Sequence, residues 1–228
     1  TDPMLSSVGA FRSFAGIVSN STVGLIMTAP EILDGIDAAL VSHLHPDHFD
    51  DAAAAILAKD LPIFCQPEDD SHLRQQGFTR VTAIAATCRW QGITLTRTGG
   101  HHGSGKILER LGTVSGFVLM AKGEPTVYWV GDSIWCDEVA ETIARHHPQI
   151  IITHSGGAIL PGSAPIIMDA RQTLTTLEAA PEAVLIAVHM ESLDHCTVSR
   201  ADLRKIANTA GVNPARLLIP EDGATLKF

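Results

Sequence analysis

An α/β domain is the fold class this sequence predicts, and three observations predict it. Apolar runs of strand length alternate along the chain with capped stretches of helix length. Hairpin signals come early and strand-then-helix units come late. No repeat of fixed period and no linker-like shift in composition divides the 228 residues, so they read as one domain, 1–228.

The elements follow in order. Residues 1 to 35 are punctuated by glycine and serine, with one strand expected at Val23 to Thr28. Ile36 to Val41 reads as a short buried strand, and Asp50 as the N-cap of an alanine-rich helix running to about Lys59. Leu61 to Cys65 is a strand, and Pro67 to Gln76 a helix closed by Gly77. Arg80 to Ala83 and Gly92 to Arg97 are strands; the second alternates Ile93, Leu95 and Arg97 with Thr94 and Thr96. Val114 to Ala121 and Thr126 to Val130 flank Lys122-Gly123-Glu124-Pro125, a hairpin signal. Asp137 to His146 is a helix ending before Pro148, Ile150 to Thr153 a buried strand, and Ser155 to Met168 a Gly/Pro-rich loop. Asp169 caps a helix to about Ala180, and Val184 to Val188 is an apolar strand. Ser199 with Asp202 makes a capping box for a last helix ending at Gly211, and Leu217 to Pro220 is a closing strand.

Composition narrows the function. Hydrophobic residues are 45% and charged residues 18%, the balance of a folded globular chain. A net charge of −9 argues against a general nucleic-acid binder, which needs a basic face. Cys65, Cys88, Cys136 and Cys196 form no CxxC pair, so they read as free thiols of a cytoplasmic protein. No apolar run approaches a membrane span, and the start lacks the pattern of a signal peptide.

The chemistry concentrates in Ser42 to Asp50, SHLHPDHFD, a loop between a strand end and a helix start. Loops at strand ends are where α/β proteins bind ligands. Alternate side chains of an extended segment share a face, so His43 and His45 can point together. Pro46 turns the chain, and Asp47 and His48 reach a second point nearby. Imidazole and carboxylate donors suit zinc, manganese or iron. The second feature is Thr98 to Lys106, TGGHHGSGK, where His101 and His102 compete as a ligand on a glycine loop. It matches a phosphate-binding loop as far as Lys106, but Ile107 stands where a magnesium-holding hydroxyl belongs. Third, the strand ending Trp129-Val130-Gly131 delivers Asp132, a carboxylate able to bridge two cations about 3.5–4 Å apart, with Asp137 better placed to cap the next helix. Fourth, His189 ends the Val184 to Val188 strand; His195 follows as an alternative ligand, a substrate-facing residue or a surface histidine. His154 either lines the pocket or packs beneath it. No GxSxG elbow supports a serine hydrolase.

The segment from His43 to His48 resembles the HxHxDH signature of the metallo-β-lactamase superfamily of metallohydrolases. That resemblance implies a four-layer αββα sandwich with the site along one edge between the sheets. It implies one or more strands before Thr1-Asp2-Pro3-Met4-Leu5, which reads as internal sequence. The register of the family motif selects His102 as the ligand, with His101 beside it near substrate. Two divalent ions, zinc or manganese before iron, would be held by His43, His45 and His102 and by Asp47, His48 and His189, with Asp132 bridging. Asp47, Asp132 and His195 are the expected catalytic residues. Within the superfamily, the Gly-His-Asp punctuation and Ile166-Ile167-Met168-Asp169 resemble the branch of ascorbate-6-phosphate lactonase and N-acyl phosphatidylethanolamine phospholipase D. The expected activity is hydrolysis of a small ester, lactone or phosphodiester, on an anionic or carbonyl-containing substrate, by a chain compatible with homo-oligomers. The alternatives on the same fold are an iron-dependent, dioxygenase-like oxidoreductase and an RNA or nucleotide phosphodiesterase. The diiron oxygen-reducing branch has a carboxylate where this chain has His45.

Overall fold

The computed structural model describes residues 1–228. Two sheets face each other. The first is a parallel sheet of β1 (Ala39–Val41), β2 (Ile63–Cys65) and β3 (Val81–Ala83) in that order. The second has seven strands. Its antiparallel half is β4 (Thr87–Trp90), β5 (Ile93–Thr98), β6 (Gly116–Met120) and β7 (Val127–Trp129). Its parallel half continues from β7 through β8 (Ile150–His154) and β9 (Val184–Val188) to β10 (Leu217–Leu218).

Strand alternation builds the layers. Leu40 and Phe64 of the first sheet turn inward and meet Leu95 and Phe117 of the second. Their neighbours Ala39, Val41, Ile63 and Cys65 turn outward and pack on Ala53 and Leu73. Those two residues belong to α2 (Asp51–Ile56) and α3 (Asp69–Gln75). On the far side Val118, Tyr128, Ile151 and Leu185 pack against Val139, Leu174 and Leu203. These come from α5 (Asp137–His146), α6 (Ala170–Ala179) and α7 (Arg200–Thr209). Three apolar interfaces between four layers make the αββα sandwich, because each strand offers opposite faces at alternate residues.

Several boundaries differ from expectation. Val23 to Thr28 forms no strand: no neighbouring strand pairs with it, and Val23, Leu25, Ile26 and Met27 stay exposed. A short helix, α1 (Ala29–Leu33), follows it. β4 escapes the sequence reading because it is an edge strand with no buried residue, so no apolar alternation marks it. α4 (Lys106–Leu111) begins inside the glycine-rich loop, which therefore runs straight into a helix. α2 stops at Ile56 rather than near Lys59, and Cys136, not Asp137, holds the N-cap position of α5. The caps at Asp169 and Ser199 form as expected. No helix is long and apolar enough to cross a membrane.

Asp50 ties the N-terminal segment to the sandwich. One oxygen accepts from Ala53 N at 2.7 Å, capping α2, and the other accepts from Leu5 N at 2.8 Å and Ser6 N at 2.7 Å. Asp50→Ala removes a cap and strands two N–H donors, a loss of about 2–4 kcal/mol. Urea unfolding should show that drop; a midpoint equal to wild type would show that the segment is held by other contacts.

Candidate metal centre

β5 and β7 run the same way because each is antiparallel to β6, and β8 and β9 run parallel to β7. Their C-terminal ends therefore meet one edge, where they deliver His102, Asp132, His154 and His189. β1 brings the His43–His48 loop to the same edge from the other sheet. Within that loop His48 N donates to His45 O at 2.9 Å, closing a turn over Pro46 and Asp47. Leu44 points the opposite way, into the outer core. Gly131 has φ +72°, and a Cβ there would sit 2.7 Å from Ser115 O, so only glycine lets the chain turn ahead of Asp132. His189 itself adopts φ +59°, a costly conformation for a non-glycine residue and one that aims its ring at the edge.

The side chains converge in two groups. His43, His45 and His102 form one, and His48, Asp132, His154 and His189 the other. Asp132 stands between them. One oxygen lies 3.5 Å from His102 Nε2 and 3.1 Å from His48 Nε2; the other lies 3.8 Å from His189 Nε2. Asp47 reaches the second group, 3.5 Å from His189 Nε2 and 3.8 Å from His48 Nε2. All seven expected ligands thus meet at one place.

The donor set fits a pair of transition-metal ions. His43 Nε2 faces His45 Nδ1 at 2.9 Å, and His48 Nε2 faces His189 Nε2 at 3.3 Å. Ligand nitrogens about 2.0–2.1 Å from a tetrahedral ion stand roughly 3.3 Å apart, close to this spacing. The site contains no lysine or arginine to balance its carboxylates, so imidazolium or metal must do so. Burial opposes protonation of His48, but the Asp132 and Asp47 carboxylates outweigh it and hold its pKa at about 10. Burial likewise opposes charge on His189, and Asp132 and Asp47 raise it well above the usual range. His43 and His45, dominated by burial, are held below it.

Outer contacts orient the rings. His102 Nδ1 donates to Ile166 O at 2.9 Å, which leaves Nε2 free for the centre. Asp2 lies 3.2 Å from His48 Nδ1 and accepts from Ser42 N at 2.7 Å and Trp129 Nε1 at 3.2 Å. Burial works against ionised Asp2, yet the His48 contact and the Ser42 bonds hold its carboxyl down, at about 2. Sequence reasoning missed Asp2, which lies far from every motif. His154 Nδ1 donates to Asp132 Oδ1 at 2.6 Å, so it acts on the carboxylate rather than packing passively. His101 departs from expectation: it turns away from the centre to Glu138, 3.0 Å off, and lines neither cleft beside the site.

A cleft of about 330 Å³ opens over the first group. Its floor holds His45, Asp47, His102 and His195, its walls Phe14, Leu111, Leu160 and Ile166, and its mouth Arg12 and Arg110. His195 is buried, burial keeps its pKa below the usual range, and its Nδ1 has no partner. Phe14 lies edge-on to it at 4.9 Å between ring centroids. Phe14 is placed by Asp194, whose carboxylate accepts from the N–H groups of Phe14 and Ala15 and from Asn20 Nδ2.

A centre of clustered histidines and aspartates on a strand-end edge of an αββα sandwich defines a metallohydrolase of the metallo-β-lactamase class. The family model described as a beta-lactamase superfamily domain matches residues 9–190. The chain is 35% identical to the UPF0173 protein YddR of Bacillus subtilis, over 100% of this chain and 91% of that one. A possible metal-dependent hydrolase of Veillonella parvula superposes with a TM-score of 0.95 at 34% identity, covering 100% of this chain and 91% of the other. An isothiocyanate hydrolase from Delia radicum gut bacteria superposes at 0.93, with 34% identity and the same coverage, 100% and 91%. The chain belongs to the UPF0173 metal-dependent hydrolase family of the metallo-β-lactamase superfamily.

Asp194→Ala removes the acceptor that gathers the 13–18 backbone. Limited proteolysis should then cut between Ser13 and Val18 at least roughly tenfold faster than in wild type, as expected when a loop loses its anchoring bonds. An unchanged cleavage rate would place the anchor elsewhere.

Proposed function

We propose that this chain hydrolyses a small carbon electrophile bearing an apolar substituent, with an isothiocyanate as the leading substrate class. The observation that carries this reading is the cleft, which sets one compact apolar wall of Phe14, Leu111, Leu160 and Ile166 over His45, Asp47 and His102. The likeness to the isothiocyanate hydrolase, at 34% identity over the whole chain, supports the same class. The overall reaction converts R–N=C=S and water to R–NH2 and carbonyl sulfide.

Two divalent ions bound at this centre would supply hydroxide at neutral pH and polarise the attacked group. His43, His45 and His102 would hold one ion and Asp47, His48 and His189 the other, with Asp132 between the two groups. Zinc or manganese suits these donors better than iron, because His45 stands where the oxygen-reducing branch has a carboxylate. Asp47 faces the cleft and takes the proton released on attack. His195 lines the cleft beside Asp47 and His102 and contacts the bound substrate there. Phe14 and Ile166 hold the substituent and keep bulk water out.

Esters and lactones need the same attack at carbon, so the lactonase branch is a neighbouring reading. A specific observation favours a second one, phosphodiester hydrolysis: Arg12 and Arg110 stand exposed at the cleft mouth without a carboxylate partner. A panel of an arylalkyl isothiocyanate, an aryl ester, a lactone and an aryl phosphodiester separates these. The expected result is a kcat/KM for the isothiocyanate at least about an order of magnitude above the others. A preference for the phosphodiester, lost in Arg12→Ala and Arg110→Ala, would overturn the lead reading.

Metal dependence is tested separately. Chelation should abolish turnover and zinc or manganese restore it. Asp132→Asn keeps the shape but removes the charge that would offset repulsion between two bound cations. It should lower kcat by roughly a hundredfold or more, with a smaller change in KM, and release one ion before the other. Full metal content with unchanged kcat would show that Asp132 is only structural.

A further inference from the structure

We infer that His101, Cys136 and Glu138 form a further transition-metal site, of the zinc class, on the side of the His102 and Asp132 loops that faces away from the His/Asp centre. One nitrogen, one sulfur and one carboxylate oxygen lie there within 4.8 Å of one another. His101 Nε2 already stands 3.0 Å from Glu138 Oε1. A tetrahedral ion with metal–sulfur near 2.3 Å and metal–nitrogen or –oxygen about 2.0–2.2 Å needs donors roughly 3.3–3.7 Å apart. Binding one ion draws the three donors in from their present span of at most 4.8 Å to that spacing. All three residues are half-buried, so an ion can enter and a water can take the fourth position.

The donor types choose the ion. A thiolate beside an imidazole favours zinc, cobalt or a similar soft cation and disfavours magnesium and calcium. Burial pushes the Cys136 thiol up, so without metal it is a poor nucleophile. An entering ion displaces the thiol proton, and occupancy therefore weakens in acid.

The backbone around the trio is already braced. His101 N donates to Ser133 Oγ at 2.9 Å, and Ile134 N donates to His101 O at 2.8 Å. Ser133 Oγ lies 3.7 Å from Cys136 Sγ. Glu138 sits in the first turn of α5, one residue beyond its start. An ion here clamps the loop after β5 to the start of α5. The loop after β5 carries His102, and the loop that carries Asp132 leads into α5, so the clamp stiffens the hydrolytic edge without facing substrate.

Cobalt substitution of the full chain tests this independently of hydrolysis, because a cysteine ligand produces a near-ultraviolet thiolate-to-cobalt charge-transfer band. The His/Asp centre holds no thiolate. Cys196 Sγ lies 3.9 Å from His189 Nδ1, on the ring nitrogen that faces away from Asp132. The wild-type chain should show the band, Cys196→Ser should keep it, and Cys136→Ser should lose it together with about one equivalent of metal. His101→Gln, a change at a partly exposed side chain, should weaken cobalt binding at this site by roughly tenfold or more. No band at saturating cobalt, or a band that survives Cys136→Ser or disappears in Cys196→Ser, would overturn the proposal. Loss of hydrolysis alone would bear on the His/Asp centre and not on this one.

Discussion

The structure depends on one buried carboxylate. Asp132 is 2% exposed and has four imidazoles around it, those of His48, His102, His154 and His189. A carboxylate so deep costs several kcal/mol to desolvate unless positive charge or donated protons surround it. The imidazoles supply both, and they come from four different strand ends or loops. The carboxylate therefore holds the edge of the sandwich together as well as preparing it for cations. Burial works against ionised Asp132, but the surrounding histidines keep its carboxyl well below the ordinary range.

The layered core makes that convergence possible. The interface between the sheets, Leu40 and Phe64 against Leu95 and Phe117, fixes the distance from the β1 loop to the ends of β5 and β7. The interface with α5, α6 and α7 fixes β7, β8 and β9 as parallel neighbours. Close-packed cores do not deform continuously, so the metal-facing side chains inherit their precision from apolar contacts far from the chemistry.

Acidic side chains also bind the N-terminal segment to this frame. Asp2 orients His48 and bonds Ser42, Asp50 gathers Leu5 and Ser6, and Asp194 gathers Phe14 and Ala15. The segment has almost no regular structure, yet through these bonds it builds one wall of the cleft. A binding wall carried on a loop over a rigid frame can change without disturbing that frame.

The ligand chemistry was legible in the sequence because it is local. HxHxDH compresses four donors into six residues, and the single histidine and aspartate donors fall at strand ends that hydrophobic runs reveal. The capped helices at Asp169 and Ser199 were legible for the same reason, since a cap is decided within one turn. Other features depend on partners distant in the chain. Nothing near Asp2 announces that it will meet His48, 46 positions later. β4 is a strand only because β5 pairs with it, and Val23 to Thr28 is not one because no strand lies beside it. Which of His101 and His102 enters the centre is decided by Ile166 O taking one ring and Glu138 the other. Sequence alone determined the kind of donors and their places at strand ends, because spacing and periodicity are properties of a few adjacent residues. Tertiary structure decided their orientation, their charge and the walls around them, because each depends on a neighbour that only packing supplies.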